Sequence, residues 1–367
     1  MPKSTNYPKI LFIMSKKVGI ITGGGDCPGL NTVIDSVVKG LDKECEILGF
    51  YKSFEGVLNK DYTILTRSNT NPYKFQGGTI LKSVNNGHFP GKVGTNLVSQ
   101  IKPEILEKTI HNYHELGLDG LIVLGGDGSL SVANEFSQHG LKIIGVPKSI
   151  DNDLLGTEFT FGFWTAVEIA TESLDRLETT AYSHDRVMIL EVMGRNAGWI
   201  GLYSGLAGGA NVILLPEIGF KLENILKFLE KRLKPNALIV VSEGAKLEGR
   251  GQIHKSSGGK SSESLLGGVG DEIASFLNKS GFDARCTRLG HVQRGGTPNS
   301  MDRILSRQYG SFAAELFLKG KFGSMVGYEN GEFVEKNLSQ CVTSLKQVDA
   351  SSQIVELAKK MGVYFGG

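Results

Sequence analysis

The stretch GLIVLGGDGSLSVANEFSQHGLKIIGVPKSIDND, residues 120–153, constrains the fold more than any other. It runs from a short apolar segment through a glycine turn into a helical pattern, then into a second apolar segment. Short continuous apolar runs bounded by turns read as buried parallel strands, and a helix between two of them makes a βαβ unit. The pattern occurs earlier as well. KVGIIT (17–22) stops at GGGD, TVIDSVVKGLDK (32–43) follows, and CEILGFY (45–51) is the next strand. Within the middle segment Val33, Ile34, Val37, Val38 and Leu41 fall at helical spacing.

The alternation continues. TAVEIATESLDRLETTAYS (165–183) is a long amphipathic helix, and RVMILEVMG, NVILLPE and ALIVVSEG are strands. VGDEIASFLNKSG is a helix before the strand DARCTRLG, and DRILSRQYGSFAAELFLKG (302–320) is a helix. Repetition of this kind predicts an α/β protein of two doubly wound, Rossmann-like domains facing each other. The changeover is expected just after Asp153, near FTFGFW. A length of 367 residues suits two ordinary domains. The segment 246–268 breaks the rhythm: it is rich in Gly and Ser, lacks periodicity, and is expected to be a mobile surface loop. Its GGKSS imitates the end of a phosphate-binding P-loop, but His254 stands where that motif needs its first glycine.

Composition removes several function classes. A net charge of +2 gives no strong field for nucleic acid or an anionic membrane. The apolar run ILFIM (10–14) is far too short to cross a bilayer. Four widely spaced cysteines have neither zinc-ligand spacing nor a disulfide framework, which suits a reduced, cytoplasmic protein. Residues 1–13 read as a loose extension before a first strand.

In doubly wound sheets ligands bind beyond the carboxyl ends of the strands, and that rule selects a set of loops. TGGGDCPG (22–29) offers Gly24 and Gly25 for close backbone approach to an anion, with a helix N-terminus behind them. GGDGS (125–129) offers Gly126, Gly128 and the Ser129 hydroxyl. Asp127 among such amides repels phosphate unless Mg²⁺ lies between them; read alone, it could equally be a helix cap. PKSIDND (147–153) follows the next strand, so Asp151 is expected near the edge that carries Asp127. Phosphoryl transfer to a hydroxyl needs held phosphates, a metal and a proton acceptor, and the two aspartates could divide the last two tasks. Ser149 could hold a phosphate or a sugar, and Lys148 adds one positive charge. The plainer alternative is an Asx turn beside a solvated lysine. Arg186, Arg195, Arg285, His291 and Arg294 flank strands of the second half and are expected after them. Their donor forks suit a dianionic phosphate, and Glu243 could accept from sugar hydroxyls.

TGGGDCPGLN, GGDGS, PKSIDND, EVMGRNAGW and LGHVQRGGTPNSMDR together resemble the 6-phosphofructokinases of the bacterial type, in the family's order, over about residues 16–345. GGDGS alone is weak, because diacylglycerol and NAD kinases carry similar strings, whereas IDND with GHVQRGG is highly specific. The resemblance implies transfer of the γ-phosphoryl of ATP to the 1-hydroxyl of fructose 6-phosphate, with Mg²⁺. It implies a nucleotide-binding domain over 14–161 with 293–343, and a sugar-phosphate domain over 162–292 with 344–367. Gly24, Gly25, Asn85, Gly126, Asp127, Gly128 and Ser129 match nucleotide positions, with Asp127 also the metal position. Ser149, Ile150 and Asp151 match the substrate loop, Asp151 as base, and Asp153 matches a supporting acid. Met193, Gly194, Arg195, Glu243, His291, Val292, Gln293 and Arg294 match sugar-phosphate contacts. Arg186 and Arg285 match arginines that reach the sugar phosphate from a neighbouring subunit, which implies a homo-oligomer.

Three positions depart from the family. Asn85 replaces an arginine that meets the donor phosphates, with Lys82 the nearby cation. Lys148 stands where ATP enzymes carry glycine and pyrophosphate enzymes carry lysine, while Gly128 is the ATP-type residue. An aspartate at 128 would crowd the α-phosphate and glycine leaves that space open, so ATP is favoured and pyrophosphate is the alternative. Asp35 and Glu178 stand where the effector pocket of the family has arginines, so ADP and phosphoenolpyruvate are expected to act weakly. A lipid or NAD kinase leaves GHVQRGG unexplained, and a catalytically silent nucleotide sensor leaves Asp151 unexplained.

Overall fold

A computed structural model describes residues 16–84, 87–91, 101–252, 254–255 and 265–367. The expectation for residues 1–13, the site residue Asn85 and the GGKSS segment lie outside the described residues. Two sheets organise the chain. The strands of the first are β1 (Lys16–Thr22), β2 (Cys45–Phe50), β3 (Tyr62–Ile64), β4 (Gly120–Gly125) and β5 (Ile143–Pro147), with two more from near the C-terminus. Those of the second are β6 (Val187–Val192), β7 (Val212–Leu214), β8 (Ala237–Ser242) and a later strand. The segment 246–268 contributes β9 (Lys246–Leu247), β10 (Gly251–Gln252), β11 (His254–Lys255) and β12 (Leu265–Leu266). β13 (Ala284–Arg288) completes the second sheet, and β14 (Ser324–Glu329) and β15 (Glu332–Asn337) complete the first.

The first sheet has the order β15-β14-β5-β4-β1-β2-β3 and the second β13-β6-β8-β7. Pairing is parallel from β14 through β2 in the first sheet and throughout the second; only β3 and β15 run antiparallel, at the edges. The sequences explain the central places. Every residue of GLIVLG, IIGVP, VMILEV and ALIVVS is buried, as strands covered by helices on both faces require. The fold is therefore α/β with two doubly wound sheets.

Helix Leu30–Leu41 packs on helix Ser300–Leu318 at close range, and glycine makes the approach possible. A Cβ on Gly310 would stand 2.6 Å from Ser36 Cβ, and one on Gly40 would stand 2.6 Å from Ala314 Cβ. One apolar core runs between the sheets, including Val18, Ile122 and Ile144 of the first and Leu190, Ile213 and Val240 of the second. Asp302 strengthens this junction. It lies fully buried on helix Ser300–Leu318 and accepts from Gly162 N (2.9 Å), Thr165 N (2.7 Å) and Thr165 Oγ1 (2.5 Å) at the start of helix Phe163–His184. A carboxylate there satisfies otherwise unpaired donors and faces the positive helix end.

The segment 246–268 is not the uniform loop expected, since β9 pairs with β10 and β11 with β12. Two-residue strands are too short to create a periodic pattern, which is why the sequence concealed them. The β14–β15 hairpin was also not anticipated. Asn330 (φ 52°) and Gly331 (φ 86°) form its two-residue turn, and Asn-Gly between apolar runs is a strong hairpin signal. No helix among the described residues is long and apolar enough to cross a membrane.

Replacing Asp302 with Ala strands its buried donors at the junction. The expected result is a loss of roughly 2–4 kcal/mol in denaturant unfolding, with Asp302→Asn, which keeps one acceptor oxygen, falling between.

Candidate active site

β5, β4 and β1 are adjacent and parallel, so the loops after them open on one edge of the first sheet. β1 leads to β2 on one side and β4 lies on the other, which makes the gap between β1 and β4 a topological switch point. The loops after β13, β6 and β8 open likewise from the second sheet. A cleft forms at the ends of β1, β4 and β5, and among the described residues Arg294, beyond β13, is what the second half adds to its lining. Gly24, Gly25, Gly126, Asp127, Gly128, Ser129, Lys148, Ser149, Asp151, Asp153 and Arg294 line it, together with Val84, Phe89 and Gly91. Most of the anticipated donor-side residues therefore meet in one place. Lys82 is not among the lining residues; its ammonium lies over the Tyr51 ring, 6.0 Å from the centroid.

The glycines have identifiable uses. Gly24 adopts φ +74°, and a Cβ there would stand 3.3 Å from Lys148 Nζ. A Cβ on Gly25 would meet Arg294 Nη1 at 2.6 Å. Arg294 itself crosses from the second half and donates to Asp26 O at 3.4 Å. Gly128 differs from expectation. The space beside it is not open, because a Cβ there would collide with the Gly91 carbonyl. Asp127 opens helix Asp127–Gln138, and Gly126 holds the capping position, so Asp127 is a first-turn acid and not the cap.

Lys148 is buried, not solvated, and donates from Nζ to Gly25 O at 2.5 Å. Burial pushes its ammonium down from the ordinary lysine value; Arg294 adds to that, while Cys27, Asp127 and Asp153 oppose it. Ser149 Oγ donates to Asp153 Oδ1 at 2.7 Å and accepts from Asp151 N at 3.1 Å. The turn is thus present, yet it leaves Asp151 free to act. Asp151 Oδ1 is buried without a hydrogen-bond partner among the described residues. Burial pushes the Asp151 carboxyl up to about 7, and Asp153, Glu243 and Asp127 add to the rise while Arg294 opposes it. The Glu243 carboxyl is also pushed up to about 7, first by burial and then by Glu191, against Arg294 and Arg195.

The remaining anticipated residues divide. The Ile150 side chain is buried in the apolar core, so only its backbone can serve the cleft. Gln293 is fully buried, and its Oε1 accepts from Met193 N at 2.7 Å, which fixes the loop carrying Met193 and Gly194. Arg195 and His291 are exposed, and Val292 is 65% exposed. Arg186 and Arg285 contradict the expectation that they follow strands. Arg186 precedes β6 and Arg285 lies at the start of β13, so both sit on the edge opposite the cleft. Both pair there with Asp283, Arg186 Nε at 2.7 Å and Arg285 Nη1 at 2.9 Å. The reading misplaced them because a motif beside a strand does not reveal which end it occupies.

Among the described residues, three carboxylates (Asp127, Asp151, Asp153) line the cleft against two cations (Lys148, Arg294). Polyphosphate entering such a space needs additional positive charge. No group of three His, Cys, Asp or Glu side chains suited to a metal occurs among the described residues. That donor set fits Mg²⁺, which binds through one or two carboxylates together with substrate phosphates. Glycine amides, a desolvated acid and cations at the ends of parallel strands define a phosphotransferase acting on a hydroxyl.

Comparison with known proteins gives the family. The family model described as Phosphofructokinase matches residues 17–317. An ATP-dependent 6-phosphofructokinase 2 of Clostridium perfringens is 43% identical, over 95% of this chain and 98% of its own. A pyrophosphate–fructose 6-phosphate 1-phosphotransferase of Amycolatopsis methanolica is 42% identical, over 95% of this chain and 100% of its own. The phosphofructokinase structure from Pichia pastoris superimposes with a TM-score of 0.77 at 28% identity, covering 95% of this chain and 36% of that longer one. The chain belongs to the phosphofructokinase family.

A carboxyl raised by burial favours the folded state only while it is protonated. That contribution is complete below the ordinary aspartate value and is lost as pH rises toward about 7. Asp151→Asn removes the ionisation, so its melting temperature should exceed that of the wild type at pH 8, by a margin that shrinks at pH 5.

Proposed function

We propose that the protein transfers the terminal phosphoryl group of ATP to the 1-hydroxyl of fructose 6-phosphate, forming fructose 1,6-bisphosphate and ADP. The observation that carries this reading is Asp151, whose buried and unpartnered carboxylate oxygen lies between the glycine loops and Arg294. In its ionised form Asp151 accepts the hydroxyl proton as the sugar oxygen bonds to phosphorus and the bond to ADP breaks. Ser149 and Asp153 hold the turn that orients it. Backbone amides at Gly24, Gly25, Gly126, Gly128 and Ser129 suit the donor phosphates. Asp127 would hold Mg²⁺, which when bound neutralises donor charge.

Met193, Gly194, Arg195, Glu243, His291, Val292, Gln293 and Arg294 form the sugar-phosphate side of this reading. Arg186 and Arg285 cannot serve the cleft of their own chain from the opposite sheet edge, which supports their acting in a neighbouring subunit of a homo-oligomer. The four cysteines are free, as a cytoplasmic enzyme of glycolysis would have them. Asp35 is buried and already engaged by Lys39 (2.6 Å) and Thr70 Oγ1 (3.0 Å), which supports a weak response to anionic effectors at that position.

Pyrophosphate is the second reading, favoured by Lys148 in the cleft wall and by the Gly91 carbonyl beside Gly128. A coupled assay offering each donor decides. ATP should exceed pyrophosphate in kcat/KM by about a hundredfold, and the reverse order would make pyrophosphate the donor. Asp151→Ala should reduce kcat by roughly a thousandfold or more with KM little changed. Turnover near wild type would refute the assigned base. The wild-type kcat/KM should rise with pH through about 7 as Asp151 ionises.

A further inference from the structure

Lys346 lies in the C-terminal segment, outside every motif that drew attention to the cleft. We infer that it is a positioning residue for the reaction: its ammonium fixes the turn that aims Asp151. This inference rests on the catalytic role proposed for that turn.

Asn152 separates Asp151 from Asp153 and adopts φ +52°, a left-handed conformation that costs energy for any residue but glycine. Surrounding contacts must hold it there. Asn152 Nδ2 donates to Glu158 O at 3.1 Å, and Asn152 Oδ1 accepts from Thr160 N at 3.0 Å. Lys346 completes the set. Its Nζ donates to Asn152 Oδ1 (3.0 Å), Thr157 O (3.0 Å) and Glu158 O (2.7 Å). Its backbone N donates to Asp153 O at 2.8 Å, beside a bridge between Leu154 and Leu345. One residue therefore contacts the turn at Asn152, Asp153, Thr157 and Glu158. Trp199 holds Lys346 from behind, donating from Nε1 to its carbonyl at 3.0 Å with the ring 5.5 Å from Nζ.

Three acceptors require three N–H donors, which only the protonated amine supplies. Burial pushes Lys346 down to about 8, and the carboxylates of Asp153 and Glu158 oppose that fall. Tyr203, Tyr309 and Tyr328 also lie near Glu158, and burial pushes the phenols of Tyr203 and Tyr309 up. A value of about 8 puts the loss of the Lys346 proton below that of an ordinary lysine, on the opposite side from the raised phenols of Tyr203 and Tyr309. Loss of that proton removes one donor and the charge, and Asn152 is no longer held on every side.

The test compares wild type with Lys346→Met and Lys346→Arg. The Met variant should keep KM for both substrates within about threefold and lose at least about tenfold in kcat, as misaimed groups do. The wild-type kcat should fall above about pH 8. Lys346→Arg should restore most of kcat and abolish that alkaline fall, because a guanidinium stays protonated. An unchanged kcat in the Met variant, or an alkaline fall whose midpoint is the same in wild type and the Arg variant, overturns the inference. If the Met variant does not fold, the Arg profile decides alone. Hydrogen exchange without substrates separates this inference from the proposed function. Amides over 152–160 should exchange faster in Lys346→Met or, failing that, in wild type at pH 9 after correction for intrinsic rate. Unchanged protection overturns the positioning role whatever the enzyme phosphorylates.

Discussion

Asp151 lines the cleft with one carboxylate oxygen that no group among the described residues satisfies. Most buried polar atoms find a partner, so an orphan of this kind marks a group kept in reserve. The surroundings maintain it. Burial and the neighbouring carboxylates of Asp153, Glu243 and Asp127 raise its proton affinity, and Arg294 alone among the named causes lowers it. Desolvation makes the carboxylate a better proton acceptor than an exposed aspartate, at a cost in folding free energy. The adjacent turn cannot relax to relieve that cost. Ser149, Asn152 and Thr160 bind one another and the backbone around Asp151, and none donates to Oδ1.

Charge around the cleft follows the same logic. Lys148 is as buried as Asp151 is unpaired, and its Gly25 hydrogen bond leaves part of its donor capacity for a ligand. Arg294 enters from the other half and, among the described residues, makes a long bond to Asp26 O. Two cations against three carboxylates leave the space short of positive charge, so a phosphate donor is better accommodated with its metal than without. A metal there would reconcile Asp127, repulsive to phosphate alone, with its place among the glycine loops.

The fold was legible where burial dictates sequence. GLIVLG and ALIVVS could only be central strands, and their order placed the glycine loops on one edge. The site was legible where a loop directly follows such a strand, as at Asp127, Lys148 and Asp151. It was not legible where function depends on contacts distant in the chain. Lys346 reaches Asn152 across 194 positions, and no local pattern predicts that. Gly128 was read as open space because a sequence cannot show that the Gly91 backbone occupies it. Arg186 and Arg285 were assigned to the wrong end of their strands because charges beside an apolar run carry no direction. The Asn330-Gly331 turn, in contrast, carries a local signal, because both residues take positive φ and Asn-Gly tolerates that.

The two sheets share one apolar core. The core is continuous from Val18 to Val240, and Asp302 closes it by capping the first helix of the second half from a helix of the first. Separating the sheets would expose that apolar surface and strand a buried carboxylate, each a cost of several kcal/mol. Lys148 and Arg294 line the cleft beside that core. A family that shares such a core can still differ in its donor. This is consistent with relatives of 43% and 42% identity that carry ATP-dependent and pyrophosphate-dependent names.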